Sequence, residues 1–272
     1  SALSSAQLFA RIALIQQGFQ NRQLKKGVPI TTEHGCYQIS ATDRGSIIAS
    51  ILNLPAPITP YGWWQRSADG AERGMIGATP EVLFAIEGHN TVHSLALAGT
   101  RARSPVCAHA DFLNDSKERQ EHLLVIEEIE NALTALGSVS VGETGILELP
   151  HLLHLQTPIR ATLHATLPFE AIVRALHPTP ALGVAPRSLG LAEMRRWDDP
   201  LERGQFGAPF GLCSNTGIQE CLVSIRNIRW HDSEILLSAG CGILPASDPN
   251  RAVSYTHLRA HETKANLVCR LL

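Results

Sequence analysis

The sequence predicts an α+β fold, with helices interleaved among antiparallel hairpins, on three observations. Ala110 to Leu136 carries an apolar stripe at helical spacing (Leu123, Ile126, Ile129, Leu133 and Leu136), and Gly137 follows as a stop. Glu81 to Ile86 and Thr91 to Leu97 read as two strands joined by the turn Gly88-His89-Asn90. Cys221 to Ile228 and Glu234 to Ala239 read as a second hairpin, turning at His231-Asp232-Ser233.

The remaining elements fall into place around these. Ser4 to Gln20 reads as a helix that Ser4 or Ser5 can cap, with Leu8, Ile12 and Ile15 on one face. Lys25 to Ile30 is a basic entry to a short extended run. Pro55, Pro57 and Pro60 interrupt the chain before the aromatic cluster Tyr61 to Trp64. Beyond the long helix, six prolines from Pro150 to Pro186 mark several short elements. There is no internal repeat and no low-complexity run.

Bulk properties narrow the function classes. At 272 residues, 44% hydrophobic and 18% charged, the chain can bury one sizeable core. A formal charge of −2 offers no basic surface for nucleic acid or anionic lipid. No apolar run approaches the ~18 residues of a membrane span. Ser1-Ala2-Leu3 opens the chain without a basic or apolar leader, so no signal peptide is expected. The absent initiator Met implies a fragment. Six cysteines (Cys36, Cys107, Cys213, Cys221, Cys241 and Cys269) form no CxxC pair, which argues against zinc and for a reducing cytoplasm. A monomer is the default expectation.

Three segments could carry chemistry. Glu118 and Glu121 lie three apart on the long helix, where they form either a solvated charged face or a carboxylate pair for a hard cation. Gly240-Cys241-Gly242 ends a strand, either as an ordinary turn or as a place where backbone N–H groups meet a ligand. Glu81 stands where a strand begins and is either exposed or a general acid.

The order of the segments adds a resemblance. GATPEVLF (77–84), LALAGTRAR (95–103), SKERQEHLLV (116–125), HLQTPIRA (154–161), LHPTPALGVAPR (176–187), FGAPFGL (206–212), VSIR (223–226) and AGCGILPASDP (239–249) follow one another in this order. Together they resemble the chorismate-utilising enzymes over Lys25 to Arg251. Residues 126–133, HLQTPIRA and LHPTPAL resemble the isochorismate synthase branch.

That resemblance implies two large antiparallel sheets packed face to face with helices outside. It implies Mg²⁺-dependent conversion of chorismate to isochorismate, by addition of water and loss of a ring hydroxyl. The pathway would lead to menaquinone or a siderophore. The alternatives are a salicylate synthase, another chorismate-directed enzyme such as an aminating subunit, or a fragment without activity. By the same resemblance, Lys26 activates water and Glu81 protonates the leaving hydroxyl. Glu121 ligates Mg²⁺, with Glu118 assisting. Gly99, Thr100, His154, Arg226, Gly240 and Gly242 contact the substrate.

The tail departs from the family. After Ser-Asp-Pro the family continues into an ExxExxxK helix, whose second glutamate the resemblance assigns to the Mg²⁺ site and whose lysine it assigns to a substrate carboxylate, whereas this chain has Ala252, Tyr255 and Arg259 at those positions. Residues 1–251 are therefore expected to form an N-terminally shortened catalytic domain, and 252–272 to be a non-native tail. Glu262 and Lys264, two apart, do not restore the helical face. The short N-terminus is expected to leave a sheet edge unpaired.

Overall fold

The computed structural model describes residues 2–21, 23–103, 109–150, 152–214, 216–254 and 256. The chain opens with α1 (Ala2–Gln20), β1 (Lys26–Gly27), β2 (Ile30–Cys36), α2 (Ala41–Leu52), β3 (Thr59–Arg66), β4 (Glu72–Thr79), β5 (Val82–Glu87) and β6 (Thr91–Ala102). Its middle holds α3 (His109–Leu113), α4 (Ser116–Thr134), β7 (Gly137–Val141), β8 (Gly145–Glu148), β9 (Leu152–Leu163) and α5 (Phe169–Leu176). It continues through β10 (Val184–Ala185), α6 (Gly190–Met194), α7 (Pro200–Arg203), β11 (Pro209–Cys213), β12 (Gln219–Val223), β13 (Asn227–His231) and β14 (Glu234–Gly240).

Two large sheets organise these elements. A seven-stranded sheet runs β11-β12-β5-β6-β9-β7, with β8 also pairing β9. A five-stranded sheet runs β2-β14-β13-β4-β3, and β1 and β10 form a separate ribbon. Every pairing is antiparallel. The sheets meet where Tyr61 and Met75 of one pack with Leu222 of the other. Helices α4 and α5 cover the larger sheet, burying Val125, Ile129, Leu133 and Ile172 against Phe84, Val92, Ala96 and Ile159. Each buried Val, Leu, Ile or Phe among them contributes roughly 1.5–3 kcal/mol. Helix α2 covers the smaller sheet through Ile47 and Ile51. The α+β class holds.

Several local expectations need correction. Helix α1 begins before the serines, so neither Ser4 nor Ser5 caps it. The single helix expected over 110–136 is two, because Asp115 takes the N-cap of α4 and accepts the Glu118 N–H at 3.0 Å. Leu123 is 48% exposed rather than core. Ile126, Ile129 and Leu133 are buried as expected, and the buried face runs from them through Val125 to Glu121, a carboxylate at its head. Gly137 starts β7 rather than ending the helix, and a Cβ there would overlap the Thr162 carbonyl. Helix α2 went unread, although Ser40 and Asp43 form a capping box.

The expected hairpin over 221–239 also divides. β12 belongs to the larger sheet and β13 to the smaller, and the chain crosses between them at Ser224 to Arg226. Arg226 takes a left-handed φ of 56° at this crossing. The β4-to-β5 link crosses between the same sheets at Pro80-Glu81. The crossings are stitched together: the Val223 N–H donates to Glu81 O at 3.0 Å and the Ala78 N–H to Arg226 O at 3.2 Å. Two functional candidates distant in sequence are thus held side by side.

Past Pro249 the chain is helical at 249–254 and 256, with Val253 and Thr256 buried. Tyr255, Arg259, Glu262 and Lys264 lie outside the described residues, as do Cys107 and Cys269. Cys36, Cys213, Cys221 and Cys241 are free thiols. No described helix is long and apolar enough to cross a membrane.

Candidate active site

A cavity of about 850 Å3 opens beside the sheet crossings, and Glu81, Gly99, Thr100, Glu118, Glu121, His154, Arg226, Gly240 and Gly242 all line it. Lys26 reaches the same place from β1: its Nζ lies 3.0 Å from Glu121 Oε1 and its side chain is fully buried. Every candidate read from the sequence therefore converges on one site.

Backbone geometry builds each wall. A register shift between Ala98 and Thr100, with Gly99 at φ 75°, bulges β6 against β9. The bulge presents the Thr100 N–H to Glu118 Oε2 at 2.8 Å. Gly242 has a steric reason to be glycine, since a Cβ there would overlap Glu121 Oε1 and lie 2.9 Å from Lys26 Cε. The glycine makes room for the Lys26–Glu121 pair.

The acidic wall is strongly coupled. Lys117 Nζ lies 3.0 Å from both Glu118 Oε1 and Glu121 Oε2. Burial alone would raise the Glu121 pKa, but the ammonium groups of Lys26 and Lys117 outweigh it and hold the carboxyl at about 2. Glu118 goes the other way: burial raises its pKa, and Lys117 offsets this only in part. Burial pulls the Lys117 pKa down, yet Glu121 and Glu118 together raise it above the ordinary lysine value.

On the opposite wall, Arg226 Nη2 lies 3.0 Å from His154 Nε2, and His154 Nδ1 lies 2.8 Å from Thr100 Oγ1. A guanidinium can only donate, so Nε2 accepts and Nδ1 carries the proton given to Thr100. His154 thus joins Arg226 to Thr100 through both ring nitrogens. Glu81 is buried, with its N–H donating to Thr79 Oγ1 at 3.1 Å.

The carboxylate pair suits a hard cation. Two carboxylates one helical turn apart face the cavity, and an ammonium already lies between them. Among the described residues no group of three or more His, Cys, Asp or Glu side chains is arranged around a metal position. Two carboxylates plus water and substrate oxygens suffice for Mg²⁺.

Reading the sequence missed Lys117, Arg101 and Asp115, which also line the cavity. Arg101 Nη2 donates to Asp115 Oδ2 at 2.6 Å, tying β6 to the start of α4. The signal for Lys117 was its position one residue before Glu118 and four before Glu121.

This fold, with its cavity at the sheet crossings, defines a class: the chain belongs to the chorismate-binding enzymes, whose family profile matches residues 65–263. It is 36% identical over 193 residues to the salicylate biosynthesis isochorismate synthase of Pseudomonas aeruginosa, covering 68% of this chain and 40% of that protein. It is 30% identical over 236 residues to isochorismate synthase EntC of Escherichia coli K12, covering 83% of this chain and 56% of that protein. The chain thus spans about half the length of these relatives. Among solved structures, the menaquinone-specific isochorismate synthase MenF of Escherichia coli superposes with a TM-score of 0.83 at 24% identity, over 97% of this chain and 61% of that one. Anthranilate synthase component I of Streptococcus pneumoniae superposes at 0.78 and 18% identity, over 97% and 57%.

Proposed function

We propose that this chain carries the catalytic centre of an isochorismate synthase. The reading rests on one observation: a buried lysine, a buried glutamate and a paired carboxylate wall converge on a single cavity. The named isochorismate synthases among its relatives support the branch.

The chemistry needs three kinds of help. In its neutral amine form, which a base requires, Lys26 takes a proton from the water that attacks one ring carbon of chorismate. Glu81 gives a proton to the hydroxyl that departs from another ring carbon, so that it leaves as water. One water enters and one leaves, and the net change is an isomerisation. Glu118 and Glu121 would hold Mg²⁺, which when bound neutralises the ring carboxylate. Arg226 pairs with the enolpyruvyl carboxylate, for which a planar guanidinium is suited. His154 accepts from Arg226 and so fixes the guanidinium's plane. Gly99 and Thr100 would contact the substrate near its ring carboxylate, and Gly240 and Gly242 would offer backbone N–H groups to the enolpyruvyl carboxylate.

The test is product analysis, with chorismate and Mg²⁺, of Lys26→Ala and Glu81→Gln made in a parent chain whose residues 252–272 are replaced by the family's ExxExxxK helix. Each substitution should slow isochorismate formation by about 10²–10⁴-fold, the usual worth of a positioned acid or base. Turnover within a fewfold of the parent in either variant removes that residue from the mechanism.

A further inference from the structure

We propose that Lys117 is a tethered counter-ion of the divalent-cation site, occupying the position a bound cation takes and leaving when that cation arrives. The inference rests on the reading of Glu118 and Glu121 as metal ligands, and it assigns a role to a residue that reading does not use.

Three observations carry it. First, one oxygen from each carboxylate, Glu118 Oε1 and Glu121 Oε2, approaches the same Lys117 Nζ at 3.0 Å. The other oxygens are already engaged: Glu118 Oε2 accepts the Thr100 N–H and Glu121 Oε1 faces Lys26. The two oxygens turned toward Lys117 are thus those available to a shared cation. Second, an ammonium and a divalent ion cannot share that point. Like charges a few ångströms apart repel strongly in a partly desolvated site. Third, the two lysines on this wall differ in their freedom to move. Lys26, on β1, is fully buried and packs its side chain against Gly242 and Glu121. Lys117 is the second residue of α4 and its side chain is 34% exposed, so its long stem can swing into solvent.

The arrangement has two consequences. Without metal, Lys117 keeps two neighbouring carboxylates from repelling each other and holds both oxygens in place. With metal, displacing Lys117 weakens the apparent affinity, so the site fills only where divalent cation is plentiful or substrate adds its own oxygen.

The experiment is a calorimetric titration of MgCl2 into the folded parent chain and into Lys117→Met, without substrate, with thermal melts alongside. Lys117→Met should bind Mg²⁺ on the order of tenfold more tightly. It should melt lower than the parent without Mg²⁺ and gain more from its addition. Lys117→Arg, which restores the charge, should return binding toward the parent's. In the parent chain, Mg²⁺ should raise the labelling of Lys117 by an amine-reactive reagent, read by mass spectrometry. If Lys117→Met does not fold, Lys117→Gln takes its place in the same titration. Mg²⁺ binding to the parent with unchanged or weaker binding to the neutral variant overturns this inference and leaves the metal reading standing. Mg²⁺ binding to neither overturns both.

Discussion

Two clusters of buried charge lie close together in this fold and differ in kind. The first is the cavity wall of Lys26, Lys117, Glu118 and Glu121. The second joins Asp198 and Glu202 to Arg11, Arg203 and, through the Arg203 carbonyl, Arg229. In the second, the guanidinium forks of Arg11 and Arg203 are spent on fixed partners. Arg203 donates to both Asp198 and the carbonyls of Val28 and Leu182, and Arg11 donates to the Ile30 carbonyl at 2.6 Å. Asp198 also accepts the Ile30 N–H at 3.3 Å. The cluster locks β2 onto α1 and the α7 turn. In the first, both cations are lysines, point charges without a planar fork. Lys26 Nζ is close to Glu121 yet makes no aligned hydrogen bond. Arginine networks satisfied by backbone build a scaffold, whereas lysines against carboxylates beside a cavity leave charge that can be rearranged.

The comparison breaks most decisively at Arg203. Arg203→Ala leaves Asp198 buried without its main counter-ion, which should cost about 3–5 kcal/mol of stability. Chemical denaturation would measure this, and a loss below about 1 kcal/mol would mean the cluster is not a scaffold. Gly242→Ala probes the other cluster. Its methyl would force Glu121 and Lys26 apart, and displacement of that order at reacting groups should cut isochorismate formation by about 10²-fold when made in the chain carrying the ExxExxxK helix. The melting temperature should move far less than for Arg203→Ala, and equal losses in both variants would erase the distinction.

A smaller effect tests the electrostatics of the scaffold. Burial, then the charges of Arg187 and Arg203, lower the His177 pKa to about 4. The folded value lies below the unfolded one near 6.5, so the neutral ring favours the folded state. That stability is complete above about pH 6.5 and is lost as pH falls toward 4. It amounts to roughly 2 kcal/mol after allowing for partial solvent screening. Melting curves between pH 7 and 4 should therefore be flatter for His177→Gln than for the parent, and parallel curves would contradict the assignment.

Most of the site could be read from the sequence, because its parts sit in short motifs whose order survives. Much of what joins them could not. Periodicity placed Glu121 on a helix but not on its buried stripe, since Leu123 drew the apolar face toward solvent. Cys221 to Ile228 reads as one strand because Val223, Ile225 and Ile228 favour strand on both sides of the crossing. Only the left-handed backbone at Arg226 reveals that the chain changes sheets there. Helix α2 has few apolar residues facing inward, Ile47 and Ile51, so its cap was a stronger signal than its pattern. Lys117 sits among Glu118, Arg119 and Glu121 in a run that looks like an ordinary charged face. Its meaning depends on where the opposing strand β6 lies.

The central claim is tested most directly by chromatography of the products formed from chorismate and Mg²⁺. It should be run on this chain and on one whose residues 252–272 are replaced by an ExxExxxK helix. The account predicts isochorismate, dependent on Mg²⁺, from the chain with the replaced helix and less or none from the chain as it stands. A folded chain with the replaced helix that leaves chorismate untouched, or yields only salicylate or an aminated product, would contradict it.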